Sequence, residues 1–198
     1  MERRPDLPTR RALALGLPLI PLLAAARRDP PSLQTADAPP KRTWASTAIL
    51  LRHAEKATVG DPKDPSLSEA GAKRAKALAA LLARSRATHL FATEFKRTQE
   101  TLAPLAEATK VALTVVAGGK TAELAAKILD LPPGSVAVVA GHSNTIPALA
   151  TLLGGTLTGT EPSPQGPMLP DAEYGRIFVV TPGPALAAGK ASVLELAY

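Results

Sequence analysis

The sequence predicts an α/β fold: a three-layer α/β/α sandwich, with a mainly parallel sheet of about five to six strands and helices on both faces. Three observations predict it. From Thr43 onward, short runs of β-branched and apolar residues alternate with segments of helical period. The helical segments open at recognisable signals, Ser68 ahead of Glu69 above all. Arg or His follows the ends of three predicted strands, where open α/β sheets gather their ligands.

The elements follow in order. Thr47-Ala48-Ile49-Leu50-Leu51 is a buried strand that ends in Arg52-His53, with Ala54-Glu55-Lys56 next. Asp61 to Pro65 is a loop. Leu67-Ser68-Glu69 opens a helix, with Ser68 as N-cap and Leu67 placed to staple it. Ala75, Leu78, Leu81 and Leu82 then recur at helical spacing. His89 to Thr93 is the second strand. A loop carrying Glu94, Lys96 and Arg97 leads into a helix reaching about Ala108. Val111 to Val116 is a third strand, and Thr121 to Leu129 a helix stopped by Pro132-Pro133-Gly134. Val136 to Ala140, the most hydrophobic strand, ends in Gly141-His142-Ser143-Asn144, and a helix runs from about Ile146 to Leu153. Leu157 to Asp171 holds four Pro and two Gly, so it reads as a loop or lid. Arg176 to Thr181 and Ser192 to Leu196 are closing strands.

The amino-terminal segment reads as an address. Arg3, Arg4, Arg10 and Arg11 precede an uncharged run of 15 residues, Ala12 to Ala26, that ends in small residues before Arg27-Arg28. Those are the three parts of a secretory signal. Thr9-Arg10-Arg11-Ala12-Leu13-Ala14 further resembles a twin-arginine signal. A general secretory signal and an uncleaved anchor are the alternatives, although the run is short for a membrane span and interrupted by Pro18 and Pro21. The expected organisation is therefore an export signal over residues 1–26, a Pro- and Ala-rich linker over 27–42, and one domain over 43–198. That makes an exported protein, periplasmic or extracellular, with no stable membrane insertion once the signal is removed. Were residues 1–26 not a signal, the protein would be cytoplasmic. Cleavage after Ala26 leaves 19 basic and 15 acidic residues, a charge of +4.

Composition narrows the function classes. The absence of cysteine removes disulfides, thiolate metal sites and a cysteine nucleophile together. A formal charge of +6 raises nucleic acid as a partner, but the basic residues are scattered and no aromatic-basic interleaving accompanies them, so nucleic acid is excluded. Oligomeric state is not legible in the sequence.

The carboxyl ends of parallel strands share one edge, so Arg52-His53, Arg97 and Gly141-His142 can converge. Two Arg and two His in one crevice repel one another unless an anion belongs there. Guanidinium forks match phosphate oxygens, and Ser143 and Asn144 open a helix whose N-terminus also favours an anion.

These motifs carry a resemblance. Arg52-His53, Leu67-Ser68-Glu69-Ala70-Gly71, Arg97-Thr98 and Gly141-His142-Ser143-Asn144, in that order, resemble the histidine phosphatase superfamily, of phosphoglycerate mutase-like fold. Glu173 to Val180 adds a weaker similarity. The resemblance implies that His53 is a nucleophile forming a phosphohistidine, that Arg52, Arg97 and His142 cradle the phosphoryl oxygens, and that no metal or other cofactor takes part. It implies a small phosphorylated substrate, bounded by loops at Ala57 to Pro65, Gly118 to Lys120 and Thr158 to Asp171.

A leaving alkoxide needs a proton, so a carboxylic acid should face the nucleophile. Glu55, two residues past His53, is the first candidate; Glu123, Asp171 and Glu173 are the others. His89 reads as structural, and Arg176 as a surface or edge residue. Zinc bound by His53 and His142 lacks a third ligand. Two further readings stay open: a mutase-type phosphotransferase, and a non-catalytic module that only binds a phosphorylated ligand. A protein phosphohistidine phosphatase of the short family type fits only if residues 1–26 are not a signal.

Overall fold

The structure, a computed structural model, describes residues 46–183 and 190–198. The expected export signal (1–26) and linker (27–42) lie outside the described residues. The elements are β1 Thr47–Arg52, α1 Glu69–Leu82, β2 His89–Ala92, α2 Lys96–Thr109, β3 Leu113–Val115, α3 Thr121–Leu129, β4 Val136–Gly141, α4 Thr145–Leu152, β5 Arg176–Thr181 and β6 Ser192–Ala197. They form one six-stranded sheet in the order β3-β2-β4-β1-β5-β6. β1 to β4 run parallel, β5 runs antiparallel to β1, and β6 antiparallel to β5.

Strand alternation divides the core in two. Ala48, Leu50, Val139 and Phe178 point to one face, where α3 and α4 supply Leu124, Ile128, Ile146 and Leu149. Ile49, Leu51, Val138 and Ile177 point to the other, against Leu78 and Leu82 of α1 and Leu102 and Leu105 of α2. The result is the expected three-layer α/β/α sandwich. Each fully buried Leu or Phe contributes roughly 1.5–3 kcal/mol of transfer free energy.

β3 is shorter than the predicted Val111–Val116. It pairs only with β2, at the sheet's edge, and two of its three residues are exposed. Among the described residues no helix is long and apolar enough to cross a membrane.

Two glycines bring helices onto the strand ends. A Cβ at Gly71 would collide with the Glu55 carbonyl oxygen, so α1 packs directly on the backbone just past His53. A Cβ at Gly141 would stand 2.8 Å from Thr145 Oγ1 and 2.9 Å from Ile146 Cδ1, which fixes the close return of α4. Ser68 caps α1 as expected, its hydroxyl accepting from Gly71 N at 3.0 Å.

Candidate active site

Parallel β1, β2 and β4 deliver their carboxyl ends to one edge, and Arg52, His53, Arg97 and His142 meet there. The His53 N–H continues the ladder to the Gly141 carbonyl at 2.9 Å, which seats its side chain beside β4. The His53 and His142 rings lie 5.4 Å apart, edge to face. Nδ1 of His53 is 2.7 Å from the Ala54 carbonyl. A carbonyl only accepts, so Nδ1 carries the proton and Nε2 keeps its lone pair. The loop that holds this carbonyl is anchored in turn, with Ala54 N donating to Thr101 Oγ1 of α2 at 3.0 Å.

Burial, helped by the neighbouring His142, Arg52 and Arg97, pushes the His53 pKa down to about 4, against the pull of the Ala54 hydrogen bond. Burial, Arg97 and Arg52 likewise lower His142 to about 4, with Glu94 pulling the other way. Both imidazoles are therefore neutral at neutral pH, and His53 presents an unprotonated ring nitrogen near the Arg52 and Arg97 guanidinium groups.

The two arginines are held differently. Arg52 is buried, and its Nη1 donates to the Pro170 and Asp171 carbonyls, each at 3.0 Å. Its Nη2 meets Asp171 Oδ1 at 3.2 Å. The Tyr174 ring stacks against it, with Cζ 4.3 Å from the ring centroid, and lies 6.1 Å from the His53 ring. The loop expected to act as a lid thus closes on Arg52, and a Leu169 N to Ser143 carbonyl bond of 2.9 Å pins it to the β4–α4 turn. Arg97 lies over the Phe95 ring at 4.4 Å and 3.9 Å from Asp64, whose Oδ1 also accepts from Lys96 N at 2.9 Å.

The proton donor expected at Glu55 is corrected by its surroundings. Its carboxylate accepts three bonds of 2.7–3.0 Å from Arg74 of α1. Hydrogen bonding to Arg74 holds its carboxyl below the usual range, so Glu55 stays ionised where a donor must be protonated. Glu123 sits on the surface between Lys120 and Lys127, and Glu173 is paired with Arg176 at 3.0 Å. Asp171 reaches the site, but as the exposed partner of Arg52. Ser143 contributes its carbonyl to the lid loop; Asn144 is exposed and makes no side-chain cap on α4.

His89 lies at the opposite edge of the sheet, stacked on Phe91, as a structural residue. Arg176, expected at the surface or an edge, is half-buried at the start of β5, beside the edge strand β6. It donates to the Thr158 and Gly159 carbonyls and to Glu173 and Glu195, which makes it the anchor of the lid loop. Sequence reasoning missed Phe95, Tyr174, Asp64 and Thr93. In a chain with only six aromatic residues, Phe95 two before Arg97 was a usable signal.

A neutral histidine flanked by two guanidinium groups at the mouth of a parallel sheet can hold an anion, and guanidinium forks suit phosphoryl oxygens. The family model described as histidine phosphatase superfamily (branch 1) matches residues 48–120. Among solved structures, the putative phosphohistidine phosphatase SixA from Agrobacterium tumefaciens aligns at TM-score 0.53 and 20% identity, covering 77% of this chain and 98% of that one. The protein histidine phosphatase SixA complexed with tungstate aligns at 0.56 and 17%, covering 76% and 96%. The mycobacterial glucosyl-3-phosphoglycerate phosphatase complexed with VO3 aligns at 0.55 and 14%, covering 77% and 98%. At these identities the structural likeness is one of fold. No curated protein matches the chain. The resemblance to the histidine phosphatase superfamily is thus borne out by the family model and by the fold.

Proposed function

We propose that this protein is a phosphomonoester hydrolase acting through a covalent phosphohistidine on His53, independent of metal, and exported from the cytoplasm. The observation that carries the reading is the bare Nε2 of a buried, neutral His53, fixed by the Ala54 carbonyl and flanked by Arg52 and Arg97. The Nε2 lone pair attacks phosphorus as the bond to the leaving oxygen breaks. Arg52 and Arg97 stabilise charge on the equatorial oxygens, the task that a metal ion performs in other phosphoryl-transfer sites, and His142 completes the cradle as a hydrogen-bond partner. Water then attacks the phosphohistidine, which releases phosphate and restores His53.

Each of the four carboxyl groups considered is paired with an Arg or Lys, and none is placed to hand a proton to the leaving group. The reading therefore expects preference for esters whose leaving group is already a weak base. Residues 1–26 support export to the periplasm or beyond, through a twin-arginine-like or general signal. In that compartment hydrolysis is favoured over a mutase-type transfer between cytosolic intermediates.

The test is hydrolysis of p-nitrophenyl phosphate in EDTA by the chain from Arg27 onward, beside His53→Ala. Turnover that survives the chelator and vanishes in the variant supports the reading. Equal background from both proteins, with inorganic phosphate still bound, would leave a phosphate-binding module instead.

A further inference from the structure

Two buried threonines decide which nitrogen of His142 carries its proton. Thr98 Oγ1 lies 2.7 Å from the Phe95 carbonyl oxygen and 3.1 Å from that of Thr93. Carbonyls only accept, so the single hydroxyl proton of Thr98 is committed to them. Toward Thr93 Oγ1, 2.9 Å away, Thr98 then offers only a lone pair, and Thr93 must be the donor. That spends the one proton of Thr93. Toward His142 Nε2, at 3.0 Å, Thr93 is left to accept. The chain of donors thus runs one way, from Nε2–H to Thr93, to Thr98, to the backbone. Both threonines are buried, so water does not compete for these bonds.

With one proton on a neutral ring, and that proton on Nε2, Nδ1 is bare. A Cβ at Gly118 would stand 3.8 Å from Cδ2 of His142, so that edge of the ring faces the β3–α3 turn and Nδ1 lies on the other. No described residue bonds Nδ1. We propose that Thr93 and Thr98 are positioning residues that hold His142 in the Nε2–H tautomer, so that it meets the phosphoryl group as a proton acceptor at Nδ1.

The inference deepens the phosphohydrolase reading and rests on it for the identity of the guest. A dianionic ester would face a bare lone pair and be repelled. The site instead takes the ester together with one proton, drawn from the monoanion or from solvent and shared between a phosphoryl oxygen and Nδ1. No bond to phosphorus changes in this step. The groups that bear on His142 are Arg52 and His53 at the end of β1, Glu94 in the β2–α2 loop, and Arg97 at the start of α2. The arginines oppose a second proton and Glu94 favours it, so an entering anion shifts the balance toward protonation.

The test is ¹⁵N NMR of the ring nitrogens in the resting full chain at neutral pH, with His142 assigned by its loss in His142→Gln. Wild type and Thr93→Ser are expected to show a protonated Nε2 and a bare Nδ1, whereas Thr93→Val populates Nδ1–H. In parallel, kcat/KM of Thr93→Val should fall roughly tenfold with a displaced pH profile, and Thr93→Ser should restore both. A protonated Nδ1 in wild type, or a tautomer unmoved in Thr93→Val, overturns the proposal. Because NMR reads the resting protein, a wild type without turnover would count against the phosphohydrolase reading and leave the tautomer result standing.

Discussion

Gly71 sits in the first turn of α1, where alanine ordinarily stabilises a helix by about 0.5–1 kcal/mol. Here the sign should reverse. A Cβ would collide with the Glu55 carbonyl oxygen and stand 3.1 Å from Glu55 C and N. These are backbone atoms, and the same carbonyl accepts from Ser68 N at 2.8 Å, so neither partner can yield without disturbing the other. Overpacking of this kind costs roughly 1–3 kcal/mol, against which the helix gain is small. Gly71→Ala is expected to lose about 0.5–2 kcal/mol in urea unfolding, with an unchanged m-value. Because Glu55 is two residues from His53, kcat should fall as well. A variant more stable by about 0.5–1 kcal/mol, with full activity, would refute the claim that α1 rests on the loop after His53.

The remaining predictions concern charge. His53 and His142 are lowered to about 4 from 6.5, so the unfolded chain binds more protons between those values. Stability should be complete above about pH 6.5 and decline as pH falls toward 4, by roughly 3 kcal/mol for His53 alone. Urea midpoints across that range should follow this course, and His53→Gln should flatten it. Glu55→Gln should cost about 1–2 kcal/mol of stability through the lost bonds to Arg74. It should lower kcat equally for phosphoesters with good and poor leaving groups; a loss confined to poor ones would return Glu55 to the role of acid. Asp171→Asn frees Arg52 from a competing carboxylate. Inorganic phosphate should bind it up to about fivefold more tightly in calorimetry, the scale of an exposed pair.

Much of the fold is legible because its signals are local. Ser68 caps α1 and Thr121–Leu129 is helical as read, since caps and hydrophobic periods act over a few residues. The convergence of Arg52, His53, Arg97 and His142 is legible too, because parallel strands deliver their carboxyl ends to one edge. What failed depended on which side chain meets which across the fold. Glu55 is close to His53 in sequence, but its fate is set by Arg74, carried there by the seating of α1 on Gly71. Tyr174 reaches Arg52 only because β5 runs antiparallel beside β1. The direction of the Thr93–Thr98–His142 chain depends on individual oxygen separations that no spacing encodes.

The most direct test of the central claim is to mix the protein with a chromogenic phosphomonoester, quench in alkali within one turnover, and map the phosphorylated residue by mass spectrometry. The account predicts an acid-labile, alkali-stable phosphoryl group on His53 that decays at the rate of steady-state turnover. Turnover without any phosphorylated His53, or a phosphoryl group on another residue that forms and decays at the catalytic rate, would contradict it.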